Sequence, residues 1–264
     1  MTSGEIYPNS PIALVAAEIR FPPVTDRPLA MPVHRQIREQ LGADWVIQND
    51  MTHLFEAGLG PDGPKASVRS EPAIRIASRR RTRIITVGPE AVVLEVSDYR
   101  GFDDFKQLVG DVSAAVERIL KPDGIARMGL RYVDEVTVPD PEPAWEQWVH
   151  ASLQAPYAGA GLKASRWTGV VQYEIAPERI LVFRYGPSAG PVVAANGPLR
   201  RDRVPSGELF MLDFDSSWQP TEIPEFRSTT VVETAALLRE PIRTMFDALV
   251  TPSLLEVFRG APRQ

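Results

Sequence analysis

Arg127-Met-Gly-Leu-Arg-Tyr-Val-Asp-Glu-Val-Thr-Val138 alternates in polarity along its length, and that alternation decides the fold class. Side chains two apart on an extended chain share a face. Met128, Leu130, Tyr132, Val136 and Val138 therefore line one side, with Arg127, Gly129, Arg131, Glu135 and Thr137 on the other. Asp134 breaks the pattern. Its carboxylate falls on the apolar side, where an unpartnered charge is costly. The stretch predicts a strand in which Asp134 finds a partner or sits at a bulge.

Upstream, Ile12 to Phe21 has strand character and ends at Pro22-Pro23, which cannot continue a ladder. Met31 to Leu41 places Val33, Ile37 and Leu41 at helical spacing before Gly42. Trp45 to Phe55 reads as a strand and Gly58 to Ser70, with its Gly-Pro and Asp-Gly pairs, as a loop. Ala73 to Val87 and Ala91 to Val96 predict a hairpin across Gly88-Pro89-Glu90. Phe102 to Leu120 repeats Phe105, Leu108, Val109, Val112, Val116 and Ile119 at three- and four-residue intervals, which predicts a helix stopped by Pro122-Asp123-Gly124.

Downstream, Pro143 to Leu153 reads as a short helix burying Trp145, Trp148 and Val149. Arg166 to Ile175, Arg179 to Tyr185 and Glu208 to Asp215 read as strands. Between the last two, Gly186 to Gly207 is longer than an ordinary connection and is expected to be mobile or functional. Thr230 and Glu233 have capping-box spacing for a helix that Pro241 should kink or restart. Thr251-Pro252 starts a last turn or two that Gly260 stops.

The order strand, helix, three strands, helix occurs twice. Ile19-Arg20-Phe21 answers Leu130-Arg131-Tyr132, Trp45 answers Trp167, and Val92 to Asp98 answers Phe210 to Asp215. The expectation is an α+β protein of two tandem βαβββα-like repeats, 1–122 and 123–264, forming mainly antiparallel sheets. Long helices pack on one side, and a groove marks the joint of one pseudo-symmetric unit.

A chain of 264 residues can bury a large core without staples, and it has no cysteine for disulfides or thiolate zinc sites. No basic and apolar leader opens it and no apolar run approaches a membrane span, so a cytoplasmic protein without membrane association is expected. A net charge of −5 argues against a surface built wholly for nucleic acid. Lysine occurs only at positions 65, 106, 121 and 163, and arginine supplies the other 25 of 29 basic residues. That bias suits a GC-rich, bacterial genome, so an arginine cluster here carries less meaning than elsewhere.

Three landmarks, Pro-Ile-x-x-x-x-x-Glu-Ile-Arg-Phe at 11–21, Gly-Leu-Arg-Tyr-Val-Asp at 129–134 and Leu-Asp-Phe-Asp at 212–215, resemble a sporadically distributed family of uncharacterised bacterial proteins of similar length. The resemblance implies correspondence over nearly the whole chain. It implies no activity or cofactor. Family members tend to carry Asn where this chain has Asp134, which leaves open whether a negative charge is required there.

Candidate sites are sparse. Asp213 and Asp215, two apart on a strand, could offer oxygen ligands to Mg²⁺ or Ca²⁺, or form a solvated strand face. Arg79, Arg81 and Arg83, with Arg80 between, could track phosphates if extended, although no aromatic residue is interleaved to stack bases. The bland alternative is a charged, edge-protecting strand. Arg20 and Arg131, as equivalent residues, could meet at the joint and hold an anionic ligand or a partner's carboxylate, with Asp134 beside them. Asp134 could equally be architectural. His34, His53 and His150 lack metal spacing, and no nucleophile elbow, phosphate loop or dinucleotide fingerprint occurs.

These features point to a non-catalytic binding protein that needs no cofactor and acts mainly on a protein partner, with a small ligand in the inter-repeat groove second. The long loop from Pro187 to Pro205 and the aromatics Trp218 and Phe226 are its expected recognition elements. A homodimer is compatible with the sequence. The alternatives are a metal-dependent hydrolase or phosphoryl-transfer enzyme at Asp213 and Asp215, and nucleic-acid binding through Arg79 to Arg83.

Overall fold

β6 (Arg127–Val136) pairs antiparallel with β1 (Ile12–Arg20) along one edge and with β9 (Leu209–Trp218) along the other. In the computed structural model, which describes residues 7–60, 63–155, 164–195 and 197–260, this trio is the middle of one nine-stranded sheet. The remaining strands are β2 (Trp45–Gly60), β3 (Gly63–Ser78), β4 (Arg83–Val87), β5 (Ala91–Val96), β7 (Gly169–Ala176) and β8 (Arg179–Ser188). Their order is β2-β3-β4-β5-β1-β6-β9-β8-β7, and every neighbouring pair is antiparallel. Four helices complete an α+β fold: α1 (Met31–Leu41), α2 (Phe102–Ile119), α3 (Ser228–Leu249) and α4 (Pro252–Arg259).

Alternation puts the core where the sequence predicts. Val15, Ala17 and Ile19 of β1, Val92 and Leu94 of β5, Met128, Leu130 and Tyr132 of β6, and Phe214 of β9 are all buried in one cluster. Val109 and Val112 of α2 lie over Ala17, Ile19, Val92 and Leu94, and Phe246 of α3 meets Phe214 with ring centroids 6.4 Å apart. α2 and α3 also touch each other, and Gly110 lets Val232 approach to where a Cβ would stand 3.3 Å from it.

Several expectations need correction. Gly58–Ser70 is not a loop, since β2 and β3 form a long ribbon in register from Trp45↔Ser78 to Gly60↔Gly63, with residues 61 and 62 outside the described residues. Beyond Arg75 the ribbon pairs only with itself, and proline is tolerated at such free edges. The single strand expected over 73–87 breaks at Arg79 to Thr82, where Arg81 takes φ +60°. Pro143–Leu153 is two separate 3₁₀ turns, Trp145–Gln147 and Ala151–Leu153, because the buried Trp145 and Val149 are held by the sheet and by Val250. The first half therefore has four strands after its helix and the second has no α-helix among the described residues between β6 and β7.

α3 begins at Ser228, two residues before the expected cap. Its N-cap Arg227 makes no side-chain capping bond, and Glu117 of α2 accepts the Ser228 amide at 2.9 Å instead. The helix runs unbroken past Pro241. Thr251 caps α4 as its sequence predicts, accepting from the Leu254 amide at 3.3 Å with Pro252 in the first turn. Phe226 is core, packed edge-on against Phe21, and not a recognition aromatic.

The long connection from β8 to β9 is pinned to the sheet. Arg201 reaches the buried Glu135 of β6 at 2.5 Å, and the Val192 and Val193 amides donate to the same carboxylate at 2.8 and 2.9 Å. Leu199 packs on Ala77, Ile84 and Leu14, while the Arg200 amide bonds the Arg81 carbonyl at 2.8 Å. No helix among the described residues is long and apolar enough to cross a membrane.

Candidate functional site: a pocket over the central strands

Tyr132 and Asp134 follow one another on the helix-bearing face of β6, and the pocket above them is the natural place to look for chemistry. It encloses about 350 Å³ between β6, the start of β1, the first residues of α2, and helices α3 and α4. That is the size of a small-molecule site. Its floor carries Tyr132, Asp134 and Phe214, its wall Ile242, Phe246 and Leu255.

Two polar features converge there. The Tyr99 and Tyr132 hydroxyls lie 3.2 Å apart with their rings edge to face, and burial pushes both phenols up, Tyr132 well above its ordinary value. Arg239 of α3 sits 4.5 Å over the Phe102 ring, and its charge acts on both phenols. No carboxylate pairs with Arg239 among the described residues. Gly101, at φ +104°, makes the turn that brings Tyr99 and Phe102 to the pocket from either side.

Asp134 is the anomaly. It is 2% exposed and its Oδ1 has no hydrogen-bond partner. Loss of solvation, reinforced by the negative Asp213 behind the sheet, raises its pKa to about 8. A carboxyl group so placed is neutral at pH 7 and can donate a hydrogen bond. The sequence-based alternatives for Asp134 were a bonded architectural group or an open one beside Arg131, and it is neither. Alternation sends Arg131 to the opposite face.

On that opposite face Arg131 grips Asp213 in a two-point contact at 2.8 and 2.9 Å, with Arg184 of β8 adding a third contact at 3.4 Å. Asp213 is 2% exposed, so the pair is half-buried, and the hydrogen bond to Asp213 raises the Arg131 pKa. With its lone pairs turned to two guanidinium groups, Asp213 faces positive charge where a cation would have to sit. Asp215 lies opposite Arg131 in the ladder. No group of three or more metal-binding side chains occurs among the described residues.

Arg20 and Arg131 do not meet. The register sets Arg20 against Arg127 and Arg131 against Ala16, four rungs away, on the order of 13 Å along the strand. Arg20 pairs with Glu18 at 3.0 Å, and Glu18 also holds Arg127 at 2.5 Å. The arginines at 79–83 share no strand face: 79 to 81 occupy a turn and only Arg83 is in β4. Arg79 donates to the Ala43 carbonyl at 3.2 Å, and Arg80 pairs with Asp202 at 2.5 Å. Arg83 is held by Asp98 at 2.9 Å and Asp104 at 2.7 Å. Arg80 and Arg83 are thus charge-paired, while Arg79 and Arg81 are exposed on the turn.

Tyr99, Arg239 and the β8 residue Arg184 were not singled out from sequence. One signal was legible for Arg239: with Ile242, Arg243 and Phe246 it forms a three- and four-residue stripe along α3, mixed in polarity where a core stripe would be apolar. No protein-family model matches the chain, and no curated protein matches it in sequence.

Proposed function

We propose that this is a non-catalytic binding protein whose principal site is the pocket over Tyr132 and Asp134. The observation that carries the reading is Asp134 itself, a buried carboxyl with one oxygen unbonded, in the lining of a cavity that also holds two hydroxyls and a cation. Buried polar atoms without partners are rare in folded proteins, and a ligand is one means of satisfying them. The test uses the neutral fluorescent probe 1-aminoanthracene on the intact protein. Saturable enhancement is expected, and Ile242→Trp, which fills the pocket, should abolish it without changing the circular dichroism. Enhancement unaffected by Ile242→Trp, or none at all, would overturn the reading.

A second reading, action on a protein partner, is favoured by β7. This edge strand is exposed along nearly its whole length, with Val170 62% and Ile175 39% accessible. A second copy of the chain fits it: antiparallel pairing about a twofold axis at Tyr173 sets Val171 against Ile175 and Gln172 against Glu174, with no like charges opposed.

We also read the two halves as a duplication. β1 and β6 are central neighbours, each is flanked by a hairpin, β5-β4 or β9-β8, and each hairpin leads to a long helix. On this reading the long helices belong to one side of the sheet, with the pocket near the joint of the halves. The three landmarks shared with the uncharacterised bacterial family fall on β1, β6 and β9, consecutive strands of the sheet, which supports that kinship.

A further inference from the structure

Resting on the pocket reading above, the chemistry of the lining narrows the ligand class. We propose that the pocket takes an organic monocarboxylate with an apolar body, its carboxylate held by Arg239 and the Tyr99–Tyr132 hydroxyl pair and capped by a hydrogen bond from the Asp134 carboxyl. Each group points to this class for its own reason. Arg239 stacks on the face of Phe102 and hydrogen-bonds both phenols, with no carboxylate beside it among the described residues, so its positive charge remains to be matched by an anion. The two hydroxyls bond to each other, which uses one of their two protons and leaves the second to donate.

Asp134 lines the pocket with one oxygen that has no partner, and burial pushes its pKa up to about 8, so it holds a proton that can meet an anionic oxygen. A phosphate dianion would leave the apolar wall beside Arg239 unused. A cationic ligand would lie against that arginine. Phe214, Ile242, Phe246 and Leu255 offer an apolar wall for a chain or ring.

pH dependence follows from what faces Asp134. On its own strand stands Tyr132, from the connection before α2 Tyr99, and behind the sheet on β9 Asp213. α3 contributes Arg239 and the pair Arg243–Asp247 at 3.5 Å, while Arg259 of α4 and Tyr7 also line the pocket. Both phenols near Asp134 are raised, so Asp134 is the group that titrates first as pH climbs past 7, and its negative charge would repel a bound carboxylate.

The test is calorimetric titration of the intact protein with octanoate and with 4-phenylbutyrate, using octanamide and inorganic phosphate as controls. Both carboxylates should bind at pH 6.5, and roughly tenfold more weakly at pH 9, one unit above the Asp134 transition. Arg239→Gln should lose at least tenfold in affinity at pH 6.5. Asp134→Asn, which keeps a donor, should retain binding and lose the pH dependence. Octanamide binding as tightly as octanoate, phosphate binding more tightly than either, or indifference to Arg239→Gln would overturn the proposal. If 1-aminoanthracene enters but neither carboxylate binds, the ligand class fails and the pocket stands. If neither enters, both fail.

Discussion

A carboxyl group that is 2% exposed with one oxygen unbonded holds its proton, and Asp134 is pushed up to about 8 where an unfolded chain would ionise near 4. The proton is therefore bound more tightly by the folded state. Its contribution to stability is complete below about pH 4, declines by about 1.4 kcal/mol per pH unit above it, and is gone once pH passes about 8. Asp134→Asn should remove this slope and make the protein more stable than wild type at pH 8, measured by urea unfolding from pH 5 to 9. Parallel curves for the two proteins would contradict the assignment. Arg131 and Asp213 make the complementary case, a charge pair satisfied on both sides. Because Arg131 is 48% exposed, water screens the pair, and a double-mutant cycle with Arg131→Ala and Asp213→Ala should return a coupling of about 1–2 kcal/mol.

The β8–β9 connection and α3 show what decides an element. The connection is long enough to predict mobility or function, yet Glu135, with a side chain 1% exposed, is held by Arg201 and two amides from that segment. Arg201→Ala should therefore cost about 3–5 kcal/mol, because it strands a buried carboxylate, and proteolysis should then cut within 189–207. Fully native stability with an uncut connection would show that the clamp is incidental. In α3, Pro241 removes the donor that the Leu237 carbonyl would otherwise receive four residues on. Pro241→Ala should raise the melting temperature by a few degrees, corresponding to about 1–2 kcal/mol. It should leave the pocket intact, since Arg239, Ile242 and Phe246 keep their helical spacing.

At the scale of the molecule, β1 and β6 zip the halves together through the middle of one sheet, and the main core cluster is drawn from both. Separating the halves would expose the central ladder, so urea unfolding should give a single transition by fluorescence and by circular dichroism. Two resolved transitions would show independent halves. The uncovered edge sets a second expectation: sedimentation velocity should show concentration-dependent dimers that Ile175→Lys abolishes, since a buried lysine at the new ladder has no partner.

What the amino-acid sequence determined by itself is local. Period-two alternation placed β6 and its buried face, period-three-and-four spacing placed α1 and α2, and Thr251-Pro252 placed the start of α4, because each is written in residues a few positions apart. Even the misfit of Asp134 was visible, as a charge on the apolar side of a strand. What only the tertiary structure decided is which distant groups meet. Arg131 finds Asp213 rather than Arg20, Glu135 finds Arg201, and Asp134 finds a cavity framed by Tyr99 and Arg239. Those outcomes depend on strand order and register, and a shift of two residues between β1 and β6 would leave every alternation pattern unchanged while re-pairing every charge.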